Sequence, residues 1–162
     1  MTRILGIDPG PTESAYVVYD GTKPVRFGKV DNEHLRTIVL RSEWLAGTKR
    51  LVIEQIACMG MAVGAEVFET AFASGQFAQA WGGEWDRLKR GEVKLHLCGN
   101  TRAKDGNIRQ ALIDRFGPGK EKAIGKKKTP GPLYGISGDC WQALALAICY
   151  YETKLSPKAQ TA

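Results

Sequence analysis

Residues 141–150, Trp-Gln-Ala-Leu-Ala-Leu-Ala-Ile-Cys-Tyr, carry no charge and only one amide. Wound as a helix, this segment is apolar nearly all round, so it is stable only with other elements packed on every side. Ser137 is suited to cap its N-terminus, and the spacing predicts a helix from there to about residue 152. The rest of the chain must be built around that helix. With 162 residues there is room for one core and one domain.

The other elements follow from periodicity. Residues 3–8 are an apolar run ended by Asp8-Pro9-Gly10, which reads as a buried strand stopped by a turn. Residues 14–20 end at Asp20-Gly21, a hairpin signal, and residues 24–30 return beside them. Leu35, Ile38, Val39 and Ser42 recur at helical spacing within 33–45. Residues 50–55 give another buried strand, ending at Glu54. Residues 62–81 read as a long helix with Val63, Val67, Phe68, Ala71, Phe72, Gly75 and Ala78 on one side. Residues 93–98 read as a strand, residues 105–116 as a helix stopped by Gly117-Pro118, and the Gly/Pro/Lys-rich residues 117–136 as a loop. Three antiparallel strands followed by strands alternating with helices predict an α/β fold, a mixed five-stranded sheet flanked by helices. Residues 1–154 are expected to form the domain and 155–162 a flexible tail.

The net charge of +6 favours a polyanionic partner, and Lys120, Lys122, Lys126, Lys127 and Lys128 crowd into the loop. No apolar run is long enough to span a bilayer. The N-terminus turns acidic too soon for a signal peptide, so the expected location is the cytoplasm. Cys58, Cys98, Cys140 and Cys149 form no C-x-x-C pair and read as reduced thiols. His96 and Cys98 share a face if their segment is a strand, but no second ligand pair makes a zinc site of them.

Three carboxylates sit in unusual places. Asp8 and Glu54 end the two most apolar strands, and Asp139 opens the apolar helix. Each has a plainer reading: a turn residue, a strand-end acid paired with an arginine, a helix-dipole partner. No base among their immediate sequence neighbours obviously pairs them. Carboxylates gathered in a core repel one another unless protonated or bound to cations. Hard divalent ions suit oxygen ligands, Mg²⁺ first and Mn²⁺ as a substitute. Two such ions about 3.5–4 Å apart are a common engine of phosphodiester hydrolysis.

Ile4-Leu5-Gly6-Ile7-Asp8-Pro9-Gly10 resembles the opening strand of RuvC-type Holliday-junction resolvases. Val52-Ile53-Glu54-Gln55, Gly75-Gln76 and Asp139-x-x-Gln142-Ala143-Leu144-Ala145 resemble that family's later motifs, in the same order and over nearly the whole chain. The segments at 60–64 and 130–135 look most like phage-encoded members. The resemblance implies a ribonuclease-H-like fold and a homodimer that nicks branched DNA, such as four-way junctions and forks. It also implies that Asp8, Glu54 and Asp139 are catalytic metal ligands. Two positions depart from the pattern. Gln142 stands where the family has a fourth acid; its amide offers an oxygen but binds a cation less strongly. Ala57 stands where bacterial members carry an aromatic that unstacks bases. Either Met59 or Met61 takes that part, or the base preference is lost.

Lys94, Arg102, Lys104 and Arg109 lie near the helix that faces the DNA backbone in the family, and Lys126, Lys127 and Lys128 add phosphate contacts. Phe68, Phe72, Phe77 and Trp81 read as core or dimer packing, and His96 as a packed strand residue. Two rival functions remain. One is an ATPase of the actin or sugar-kinase type, whose phosphate loop resembles residues 6–10, although such proteins need two domains. The other is a junction-binding protein that does not cut.

Overall fold

The computed structural model describes residues 2–41 and 43–156. β1 (Arg3–Asp8), β2 (Glu13–Tyr19) and β3 (Pro24–Asp31) form an antiparallel meander, followed by α1 (Asn32–Arg41) and a 3₁₀ turn (Glu43–Leu45). Then come β4 (Thr48–Gln55), α2 (Ala65–Trp81), β5 (Trp85–Lys89), α3 (Arg90–Cys98) and α4 (Asp105–Phe116). The short α5 (Lys120–Ala123), a small hairpin of β6 (Gly125–Lys126) and β7 (Thr129–Pro130), and α6 (Cys140–Tyr150) follow; a π-helical turn (Tyr151–Leu155) closes the described chain. The main sheet has the order β3-β2-β1-β4-β5, with β1, β4 and β5 parallel. This is the expected mixed five-stranded sheet.

Alternation along the strands sends side chains to two cores. Ile4, Val17 and Val52 face α3, α4 and α6 on one side. Leu5, Ile7, Val18, Leu51 and Ile53 face α1 and α2 on the other. Every residue of α6 is buried, as its lack of a polar face requires. Leu144, Leu146 and Ile148 each contribute about 1.5–3 kcal/mol of burial. The helix crosses the sheet at Gly6, where an added Cβ would meet the Ala143 carbonyl oxygen at 2.7 Å and the Ala147 Cβ at 3.0 Å. Glycine in the strand and alanines four apart in the helix are what let the two backbones approach.

Several expectations change. Residues 93–98 are not a strand but belong to helix α3. Glu92 accepts the Lys89 N–H at 2.8 Å to start that helix, and Gly99, at φ 69°, ends it. The fifth strand lies just before it. Its only buried residue is Leu88, so no apolar alternation marks it. α2 starts at Ala65 rather than residue 62, and it buries Thr70, Ala73, Phe77 and Ala78. Phe68 and Phe72 point outward, each 65% exposed. α1 is shorter than expected, and Ser42 lies outside the described residues. The segment 117–136 holds α5 and the β6–β7 hairpin instead of being plain loop. α6 begins after Asp139, not at Ser137. Leu155 packs against the core, and of the expected tail, 157–162 lie outside the described residues.

His96 therefore sits on a helix, where its Nε2 lies 2.6 Å from Glu152 Oε2. Arg115 of α4 pairs with the same carboxylate. Glu152 thus ties α3 and α4 to the end of the C-terminal helix.

Candidate active site

Strand register builds the site. Asp8 pairs with Ala15, and Ala15 with Lys29. Ile7 pairs with Ile53, which puts Glu54 one step on, level with Asp8, and Glu54 pairs with Leu88. Ala15 and Leu88 belong to the core on the α6 side. Residues in register share a face, so Lys29, Asp8 and Glu54 project to that side as well. The turn after Asp8 is pinned by the buried Ser14. Its hydroxyl accepts the Gly10 N–H at 3.1 Å and donates to Asn32 Oδ1 at 2.6 Å, while Asn32 Nδ2 donates to the Gly10 carbonyl at 3.0 Å.

Asp8 and Glu54 come together as the sequence predicts, at hydrogen-bonding range of each other. Burial, then the Glu54 charge, pushes the Asp8 carboxyl up to about 7, against the opposing pull of Arg90. Burial also raises Glu54, opposed first by Arg90. Both shifts hold a proton on the pair to higher pH than either acid would alone. Asp139 is close enough for its charge to raise Asp8 further. It sits at the N-cap of α6 without making a side-chain cap bond; its Oδ2 instead accepts from Lys29 Nζ at 2.8 Å.

No immediate sequence neighbour pairs these acids, yet two of them have bases as partners, and for Glu54 the partner is the arginine of the plainer reading. Lys29 holds Asp139, and Arg90 Nε lies 3.0 Å from Glu54 Oε1. Both bases were missed because they lie far along the chain from their partners and arrive through strand register and the start of α3. Arg90 is raised despite its burial, by the charges of Glu54, Asp8 and Asp105.

Among the described residues, no three Asp, Glu, His or Cys side chains close around a single point. The donor chemistry of Asp8 and Glu54 does fit a hard divalent cation. Two carboxyls sharing one proton in a buried setting are a pair in which a cation can replace the proton. Asp139 joins them only by exchanging Lys29 for the ion. Gln142, 8% exposed, lines a recess of about 530 Å³ together with Asp139, Asp105 and Arg90.

The basic candidates spread to either side. Lys94 and Arg102 line a cleft of about 810 Å³ that also takes in Glu54, Ala57 and Met59. Arg109 stacks over Trp141, 5.0 Å from the ring centroid, at the edge of the Gln142 recess. Lys104 is exposed just before α4. Lys126, Lys127 and Lys128 are exposed at the tip of the β6–β7 hairpin. Met59, at φ 52°, and Met61 project from the loop after β4. No helix among the described residues is long and apolar enough to cross a membrane.

No protein-family model matches this sequence, and no curated protein matches it. Among solved structures, RuvC from Thermus thermophilus is similar, with a TM-score of 0.68 and 17% identity, over 94% of this chain and 95% of that one. T. thermophilus RuvC in complex with a Holliday junction substrate is similar with a TM-score of 0.65 and 16% identity, over 93% of each chain. At such identities the likeness is one of fold, and the fold of this chain is the ribonuclease-H-like fold seen in RuvC.

Proposed function

We propose that this chain is a metal-dependent, structure-selective DNA endonuclease that cuts Holliday junctions and other branched DNA by phosphodiester hydrolysis. The observation that carries this reading is the half-buried Asp8–Glu54 pair at the ends of neighbouring strands, beside Asp139 and between basic surfaces. The fold of RuvC, one of whose structures holds a Holliday junction substrate, supports the choice of DNA substrate. The segments at 60–64 and 130–135 support a phage-encoded origin, with the protein acting in the host cytoplasm as a homodimer. Residues 1–154 are the nuclease domain and 155–162 its tail.

Asp8, Glu54 and Asp139 hold the divalent ions, Mg²⁺ or Mn²⁺, with the Gln142 amide as a further oxygen. Bound there, the ions supply Lewis-acid activation of water and of the scissile phosphate. The strand-end acids fix where the phosphate sits. Lys94, Arg102, Lys104 and Arg109, with the lysines at 126–128, hold the flanking backbone by charge and carry no sequence information.

A second reading, a junction-binding protein that cuts weakly or not at all, is favoured by the bases already seated on Glu54 and Asp139. One assay separates the two: four-way junctions, forks and linear duplex incubated with and without Mg²⁺ or Mn²⁺. The nuclease reading expects metal-dependent nicks confined to branched substrates. They disappear in Asp8→Asn and Glu54→Gln while junction binding persists. Binding by the wild type without nicks under any metal selects the second reading.

A further inference from the structure

We propose that Asp105, and not the residue three after Asp139, supplies the additional carboxylate of the cation site, with the Gln142 amide oxygen beside it. The proposal rests on the nuclease reading above. Asp105 is the first residue of α4, and it shares the recess with Asp139, Gln142 and Arg90. Its charge reaches both Glu54 and Arg90. The start of α4 does not need its carboxylate, because Asn107 Oδ1 accepts the Lys104 N–H at 2.9 Å. Among the described residues, Asp105 makes no side-chain hydrogen bond or ion pair.

Two further observations point to a ligand in the recess. Gln142 is buried to the same degree as core residues, yet among the described residues its amide forms no hydrogen bond. Its polar atoms open on the recess that Asp105 and Asp139 also line, where an ion or its water can meet them. Arg90 fills the space between the acids without fitting it. Its Nε is buried and lies 3.0 Å from Glu54, yet makes no aligned hydrogen bond. An ion pair kept for stability would be aligned, often through both guanidinium nitrogens. The Arg90 side chain is also 41% exposed, so it has a way out. Once the proton on the Asp8–Glu54 pair is displaced, the four carboxylates facing Arg90 and Lys29 carry two excess negative charges, which one divalent ion balances. If both bases withdraw, the acids can take two.

The test is calorimetric titration of the full chain with Mn²⁺ alone, alongside thermal melts in EDTA and in Mn²⁺. Asp105→Asn and Asp105→Ala should bind Mn²⁺ at least roughly tenfold more weakly, or lose one bound ion, and should lose part of the Mn²⁺-induced rise in melting temperature. Their melting temperatures in EDTA should stay near wild type. Asp114→Asn removes the same charge from the exposed part of the same helix and should bind like wild type. Unchanged Mn²⁺ affinity in both Asp105 variants, with Asp8→Asn still impaired, overturns the proposal and leaves the nuclease reading standing. Absence of Mn²⁺ binding by the wild type, together with absence of nicking, overturns both.

Discussion

Asp8 works against the fold that holds it. Its carboxyl sits at about 7 in the folded chain, against an ordinary value of 3.8. The folded state therefore keeps a proton that the unfolded chain has already released, and stability falls as pH rises between those two values. Near pH 8 the folded chain bears the whole penalty, about 1–3 kcal/mol after allowance for solvent. Asp8→Asn should accordingly raise the melting temperature in EDTA near pH 8 and leave it almost unchanged near pH 4. Added Mg²⁺ should reverse the order, stabilising the wild type and not the variant. A variant less stable than wild type in EDTA near pH 8 would mean that the Asp8 carboxylate is a structural anchor.

At the scale of elements, the crossing of β1 and α6 places Asp139 and Gln142 over the strand-end acids. Gly6→Ala puts a methyl group into the Ala143 carbonyl, so the helix must shift. The expected loss is about 1–3 kcal/mol in urea denaturation, with nicking falling as well. An unchanged denaturation midpoint would show that the approach has slack. This crossing was partly legible in the sequence. The charge-free helix announced its own burial, and Asp8 and Glu54 stood at the ends of runs too apolar to be surface. Lys29, Arg90 and Asp105 were not legible as site residues. Lys29 reaches Asp139 only through the β2–β3 register, and the other two arrive at the first turns of α3 and α4. Val93, Leu95 and Leu97 imitate the alternation of a strand, so residues 93–98 were misread. The true strand beside them has one inward residue and no pattern to read.

For the whole molecule, the outer side of α2 carries the apolar surface best placed to meet a second copy. Phe68 and Phe72, with Leu40 of α1 also exposed, form apolar surface that a soluble monomer rarely leaves open. A homodimer related by two-fold symmetry would cover the same patch on both copies. Sedimentation should give twice the chain mass for the wild type and the single mass for Phe72→Glu, with the melting temperature of the separated chain little changed. A wild type that sediments as a single chain at micromolar concentration would remove the dimer.

The polarity of β5 has a further consequence for how copies can meet. Asp86, Arg87 and Lys89 leave the outer rim of the sheet charged and hydrated, an unwelcoming template for a stray strand. Copies that meet along this rim would find little to prolong the sheet with, so open-ended stacking there is disfavoured.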